Sequence, residues 1–309
     1  MVKKPRNLQQ MTACRLCGHH KDQLILSGLK TDRDETYNLR RCRRCSFVTL
    51  HPLPDENILS KYYHSNYWQN NQEQRSRVLN FFLSLRVKPI IKELKALIPR
   101  KGNVLDWGTG DGFLVKLLND NGLTAFGIDL YASASDDKTI FRTAIHNTPF
   151  PDNYFHAITG FHVLEHLRQP IESIRSALRL LKPKGIFIIE VPNIDSLQYR
   201  LFRSRWQPLE IPFHLNHFSP NSLQYNLSDN FNLKILKISY FSQRVSPSAF
   251  LLSIFPFFTP KIMRSKKGVY PTPIKLCYLL GQLVVYPFVL TEAALKRGAI
   301  MRLYLRKDE

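Results

Sequence analysis

The chain reads as an α/β protein: a doubly wound, mostly parallel sheet, with a small N-terminal zinc ribbon ahead of it and an apolar helical insert before its last strand. Three observations predict this. Strand-like and helix-like segments alternate between residues 103 and 191, the pattern of parallel strands covered by helices on both faces. Four of the five cysteines fall in two C-x-x-C pairs, Cys14/Cys17 and Cys42/Cys45. Residues 243–298 separate two further strand-like segments and are too long for a simple turn.

On this reading residues 1–50 form the zinc module, 51–245 the α/β core, 246–298 the insert, and 299–309 the last core strand and tail. Pro52 and Pro54 mark the exit from the module, and a short helix with an aromatic cluster is expected over Glu56–Tyr67. Val78, Phe81, Phe82, Leu85, Ile90, Leu94 and Leu97 recur at helical spacing and predict a helix over 75–98. Strand Asn103–Asp106, helix 112–120, strand 124–129, a short strand near 139–143, strand 156–160, helix 170–181 and strand 185–191 follow. Lys182-Pro-Lys-Gly185 is expected to close the helix before it, since proline and glycine favour positions just past a helix end. Ser219 and Pro220 suit the N-cap and first position of a further helix. Residues 231–241 alternate as a strand, and 299–306 provide its hairpin-like partner.

The insert holds Ala249–Phe258 and the apolar run Leu276–Leu290. That run is shorter than the ~20 residues needed to cross a bilayer, and Pro287 is expected to interrupt it. Lys261, Arg264, Lys266 and Lys267 lie between the two pieces, which suits a surface resting on a membrane interface; a cap on the core or a dimer contact are the alternatives. Cys277, alone in an apolar stretch, is expected to be a packing residue.

The net charge of +20 is segregated. Residues 1–50 carry +7 and residues 196–309 carry +11, while 51–195 are nearly neutral. Such ends favour phosphate-rich partners: an anionic membrane surface, a diphosphate-linked substrate, or nucleic acid. The basic N-terminus is followed by polar residues rather than an apolar core, so a signal peptide is not expected and the location reads as cytoplasmic. In that setting the paired C-x-x-C units suit a structural zinc ion with four thiolate ligands better than disulfides.

The chemistry is carried by Val104-Leu-Asp-Trp-Gly-Thr-Gly-Asp-Gly112 followed by Phe126-Gly-Ile-Asp-Leu130. A strand, a glycine-rich turn, a helix and a second strand ending in an acid bind an adenosine-bearing cofactor. Gly108 and Gly110 let the backbone turn and approach the ligand, and Asp129 stands where a carboxylate accepts from both ribose hydroxyls. A nicotinamide enzyme would more often carry a third glycine where this chain has Phe113.

These segments, together with Pro149-Phe-Pro-Asp-Asn-Tyr-Phe155, Phe161-His-Val-Leu-Glu-His-Leu167 and Leu181-Lys-Pro-Lys-Gly-Ile-Phe-Ile-Ile189, resemble class I S-adenosylmethionine-dependent methyltransferases over roughly residues 55 to 245 and a final strand near 299 to 306. The resemblance implies a seven-stranded sheet whose last strand is antiparallel. It implies that Asp106, Gly108 and Gly110 surround the methionine part of the cofactor, that Leu130 covers the adenine, that the segment holding Ile145 lies at the adenine edge, and that Phe161 and His162 border the reactive end. His156 stands where many relatives carry an acid after Phe155.

His162, His166, His214 and His217 are candidates for a general base, imidazole being the group most easily tuned to take a proton near neutrality. His217-Phe-Ser is similar to a segment of sugar C-methyltransferases, which also begin with a four-cysteine zinc module, although the preceding tyrosine and glutamate and the large C-terminal domain of those enzymes are missing here. By the same resemblance Tyr63 or Tyr67 would touch the methyl end or the acceptor. The leading expectation is methyl transfer to a sugar or small polar acceptor, nucleotide- or lipid-linked, in glycan synthesis. A zinc-containing RNA base methyltransferase and a catalytically degenerate binding module stand as alternatives.

Overall fold

The computed structural model describes residues 13–63, 77–132, 137–243, 245–256 and 272–308. The N-terminal strands β1 (Asp22–Lys30), β2 (Thr36–Cys42) and β3 (Val48–His51) form an antiparallel meander. A fourth strand reaches it from far along the chain. β9 (Asn216–His217) pairs Val48 with His217 and Thr49 with Asn216, so the cysteine module and the core share a sheet.

Helices α1 (Glu56–Tyr63) and α2 (Arg77–Leu97) lead into β4 (Asn103–Trp107), α3 (Phe113–Asp120), β5 (Thr124–Ile128), β6 (Ile140–Phe141), β7 (Phe155–Phe161), α4 (Pro170–Leu180) and β8 (Leu181–Pro192). Next come α5 (Leu197–Phe202), α6 (Pro220–Phe231), β10 (Leu233–Ser239) and β11 (Ile300–Lys307). The second sheet has seven strands in the order β10-β11-β8-β7-β4-β5-β6. β8, β7, β4, β5 and β6 run parallel, and β11 is antiparallel to both its neighbours. This is the doubly wound fold expected. Val104, Leu105, Ala157, Ile158, Phe187 and Ile188 are wholly inaccessible, as central strands covered on both faces require. The chain leaves β4 for β5 on one side and later places β7 on the other, which opens a crevice beyond the ends of these three strands.

Several expectations change. α4 does stop just before Lys182–Gly185, at Leu180, but these residues lie inside β8, which begins at Leu181 rather than Gly185. Phe155 faces Leu181 but Ala157 faces Ile186, so the strand bulges where Pro183 has no N–H to give the ladder. Phe231 closes α6 rather than opening a strand, because Asn232 takes the left-handed C-cap conformation at φ 51°. Ser219 caps α6 as expected, with Ser222 completing a reciprocal capping box.

The insert contains α7 (Ser246–Ile254) and α8 (Thr272–Ala294). Pro287 does not break α8; it removes one donor, and the Thr291 hydroxyl donates to its carbonyl at 2.9 Å. Cys277–Ala294 is therefore long and apolar enough, by length and composition, to cross a membrane. One face of α8 packs on α7: the Phe250 and Phe288 rings lie 4.7 Å apart, Gly281 approaches Leu251, and Val285 and Val289 are buried. On the other face Leu283 is 67 % and Val284 79 % exposed. Cys277 is exposed rather than packed. The basic stretch from Lys261 to Lys267 lies outside the described residues.

Candidate active site

The turn between β4 and α3 is built from glycines that the geometry demands. Gly108 has φ +76°, and a Cβ there would sit 2.3 Å from Val163 Cγ2. The Gly108 and Thr109 amides donate to the Ile128 carbonyl at 2.8 and 3.1 Å, which folds the turn onto the end of β5. Gly110, at φ +58°, has open space where its Cβ would point. Gly112, also left-handed, starts α3 and has no side chain to cap it; the Phe113 amide donates instead to Asp111 Oδ1 at 3.2 Å.

Asp129 follows β5 directly. Its carboxylate accepts from the Gly110 amide at 3.0 Å and the Tyr131 amide at 2.7 Å. Two amides fix the group while leaving further lone pairs for a ligand's hydroxyls. Burial pushes its pKa up, against those two hydrogen bonds. Leu130 and Tyr131 are exposed at the lip, 54 % and 46 %. Asp106, on β4, is buried; it accepts from Thr159 Oγ1 at 2.8 Å, and desolvation raises it to about 6. A cleared glycine cradle and a tethered acid at neighbouring strand ends fit a nucleoside cofactor. Ile145, in the 3-10 turn Ile145–Asn147, is buried in the main core cluster, so its segment meets a ligand only through its backbone or through exposed His146 and Asn147.

Phe161 ends β7 beneath the Arg302 guanidinium, 5.4 Å from its ring centre. His162 then takes φ +57° and spans two buried acids: Nδ1 lies 3.0 Å from Glu165 and Nε2 3.2 Å from Glu190. Burial disfavours the charged ring, but the hydrogen bonds to Glu165 and Glu190 outweigh it and push His162 up to about 10. His162 is thus an imidazolium with both N–H groups committed, not the general base expected of it. Glu190 also pairs with Arg302, Nε donating at 2.8 Å. Sequence reasoning passed over Glu190 and Arg302. A lone carboxylate in the apolar run Ile186–Val191, facing an arginine in the last strand, was the available signal.

Residues 72–238 match a methyltransferase domain family. The chain belongs to that family. Its cofactor is accordingly S-adenosylmethionine, and the methyltransferase has the Rossmann-like sheet such domains share. It is 21 % identical over 217 residues to a ubiquinone biosynthesis O-methyltransferase of Rickettsia bellii, covering 64 % of this chain and 90 % of that protein. It is 26 % identical over 128 residues to a Mycolicibacterium smegmatis protein described as a probable S-adenosylmethionine-dependent methyltransferase, covering 39 % of this chain and 48 % of the relative, about half that relative's length. Among solved structures it is similar to an S-adenosylmethionine-dependent methyltransferase from Archaeoglobus fulgidus, with TM-score 0.48 and 16 % identity over 74 % of this chain and 94 % of that one.

In the methyltransferase His217 is 1 % exposed on β9, and neither ring nitrogen has a hydrogen-bond partner among the described residues. Burial holds it neutral, down to about 3. Both ring nitrogens are shut off from the surface, so in this structure His217 is not placed at the crevice where an acceptor would present its proton, unlike the expectation. Tyr67 lies outside the described residues, as does the rest of its segment beyond Tyr63.

The four cysteines converge at one corner of the first sheet. Cys14 and Cys45 sulfurs are 3.7 Å apart, Cys17 and Cys42 sulfurs 3.6 Å, and all four lie within 4.8 Å of one another. These are too far for a disulfide. They fit a tetrahedron of ~2.3 Å Zn–S bonds, whose edge is ~3.8 Å. The donor set therefore suits zinc. Arg15 ties this corner to the core, donating to the Arg168 and Leu215 carbonyls at 3.2 Å each.

Proposed function

We propose that the methyltransferase moves the methyl group of S-adenosylmethionine to a sugar or small polar acceptor carried on a nucleotide or lipid diphosphate, and that a structural zinc ion joins its four cysteines. The observation carrying the acceptor class is the charged wall beside the glycine turn, where the His162 imidazolium, Glu190 and Arg302 stand at the ends of β7, β8 and β11. These charges pair with one another, and the border they make beside the crevice is polar, which suits a polar acceptor better than an apolar one. Bound, the cofactor supplies an electrophilic methyl. Asp129 would hold its ribose, Asp106 and the Gly108–Gly110 backbone its methionine end, and Leu130 its adenine, with Phe161 bordering the methyl. His162 positions the turn that faces the acceptor. With cofactor labelled in the methyl, the purified protein is expected to label a nucleotide-sugar or lipid-linked glycan fraction; label found in RNA alone would overturn this reading.

The exposed face of α8 supports a membrane-associated location. Leu279, Leu280, Leu283 and Val284 share the exposed side of the helix, and the chain from 196 to 309 is strongly basic. An anionic bilayer answers both the apolar face and the charge. The protein should float with phosphatidylglycerol vesicles at low salt and far less with phosphatidylcholine. Leu283→Asp with Val284→Asp should weaken binding at least about tenfold, each side chain contributing ~1.5 kcal/mol or more on burial. Equal flotation of the variant and the parent would contradict it.

A further inference from the structure

The 3-10 turn Leu164–His166, just after β7, meets the segment from Pro208 to His217. The Leu215 amide donates to the Glu165 carbonyl at 2.8 Å, and the Asn216 side chain donates to the Leu164 and Leu167 carbonyls at 2.9 and 2.7 Å. At this junction one ligand atom from each of Glu165, His166 and His214 lies within 4.8 Å of the other two. Glu165 is wholly buried and His214 is 4 % exposed.

Both rings are oriented from behind. His166 Nδ1 donates to the Phe213 carbonyl at 3.1 Å, and His214 Nδ1 donates to the Pro208 carbonyl at 2.8 Å. A carbonyl only accepts, so each ring must carry its proton on Nδ1 and is left with Nε2 for the cluster. This backing by a main-chain acceptor is what fixes histidines that bind metals. Glu210 Oε2 stands 3.1 Å from His214 Nε2, a fourth donor atom on the open side. Glu165 Oε2 is buried with no hydrogen-bond partner among the described residues. It therefore lacks the compensation a buried carboxylate oxygen requires. The neighbouring His217 ring, 6.3 Å from that of His214, has no hydrogen-bond partner at either nitrogen among the described residues.

We infer that Glu165, His166 and His214, with Glu210 beside them, form a second metal centre, distinct from the four cysteines, that takes a divalent transition ion of the zinc class. Two imidazoles and one or two carboxylates are the donors such ions favour over magnesium or calcium. The ion would replace the proton shared between His214 Nε2 and Glu210 and would satisfy Glu165. It would also clamp the turn bordering the methyl-donor crevice to the strand that completes the cysteine sheet. The two centres differ in chemistry, one all sulfur and one nitrogen and oxygen, so they can be read separately.

The test is cobalt(II) titration of the full chain freed of metal, followed by optical absorption, with total metal counted by mass spectrometry. Two equivalents should bind. One should bring thiolate-to-cobalt charge transfer, and the other only the weaker visible bands of nitrogen and oxygen ligation. His166→Gln with His214→Gln should lose the second equivalent and keep the thiolate band, which also reports that the cysteine module is still folded. A parent protein that stops at one equivalent, bound with the thiolate band, overturns the inference whatever the variant does, as does a variant that still binds two. Loss of the thiolate band in the parent would count against the cysteine centre alone.

Discussion

Asp129→Ala is expected to weaken S-adenosylmethionine binding about a hundredfold, measured by calorimetry on the purified protein. Two hydrogen bonds from ribose hydroxyls to a charged acceptor contribute ~1.5 kcal/mol each at the low end. Their loss, near 3 kcal/mol, is about two decades in affinity. The variant also frees the Gly110 and Tyr131 amides, which Asp129 now holds at 3.0 and 2.7 Å, so the glycine turn loses its tether. Asp129→Asn keeps the size and one acceptor and should fall in between. Affinity within threefold of the parent for both variants would refute the role assigned to this acid.

The second large effect falls on stability. Glu190 is 4 % exposed and accepts from Arg302 while facing His162 Nε2 at 3.2 Å. Arg302 in turn contacts the Tyr304 hydroxyl, which donates to Glu93, itself paired with Lys237 at 2.7 Å. Glu190→Leu strands two cations in a buried setting and should cost ~3–5 kcal/mol, the usual range when one partner of a buried pair is removed. For a chain of this size that is roughly ten degrees in melting temperature. Glu190→Leu combined with Arg302→Leu should recover part of the loss, since the second change removes one of the stranded charges. A melt shifted by under two degrees in the single variant would mean the network is not what holds β8 to β11.

The same network sets a pH dependence. The folded protein holds His162 up to about 10, above its ordinary 6.5, so its contribution is complete below 6.5 and is lost as pH rises through 10. Glu190 is held down to about 2, below its ordinary 4.5, despite burial, chiefly by Arg302; its contribution is present above 4.5 and is lost as pH falls through 2. Stability should therefore be flat between about 4.5 and 6.5 on this account and decline on the alkaline side. The alkaline decline should shrink in Glu190→Leu.

Much of this was legible beforehand where one residue type is dictated by backbone geometry. Gly108, Gly110 and Asp129 stood in a strand–turn–helix pattern that only a few ligands use, and the two C-x-x-C pairs carry their own spacing. The strands of the core announced themselves because both faces are buried and their runs are apolar. Less legible was anything set by partners distant in sequence. His162 and His217 looked alike as candidate bases, yet one gains Glu190 from β8 besides its near neighbour Glu165, and the other gains no hydrogen-bond partner among the described residues. Pairing of β9 with β3 joins Val48 to His217 and Thr49 to Asn216, far apart in the sequence, and no local pattern encodes it. α8 was misread at Pro287 because a proline's local penalty was weighed without the helical turns on either side of it.

A nucleoside seated across the ends of β4 and β5 would rest its sugar on Asp129. The decisive measurement is a crystal structure of the full chain with S-adenosylhomocysteine. Both ribose hydroxyls should lie within hydrogen-bond distance of the Asp129 carboxylate, the adenine under Leu130, and the amino-acid end against Gly108 and Gly110. A nucleoside bound elsewhere, or an Asp129 carboxylate turned away from the sugar, would contradict that seating.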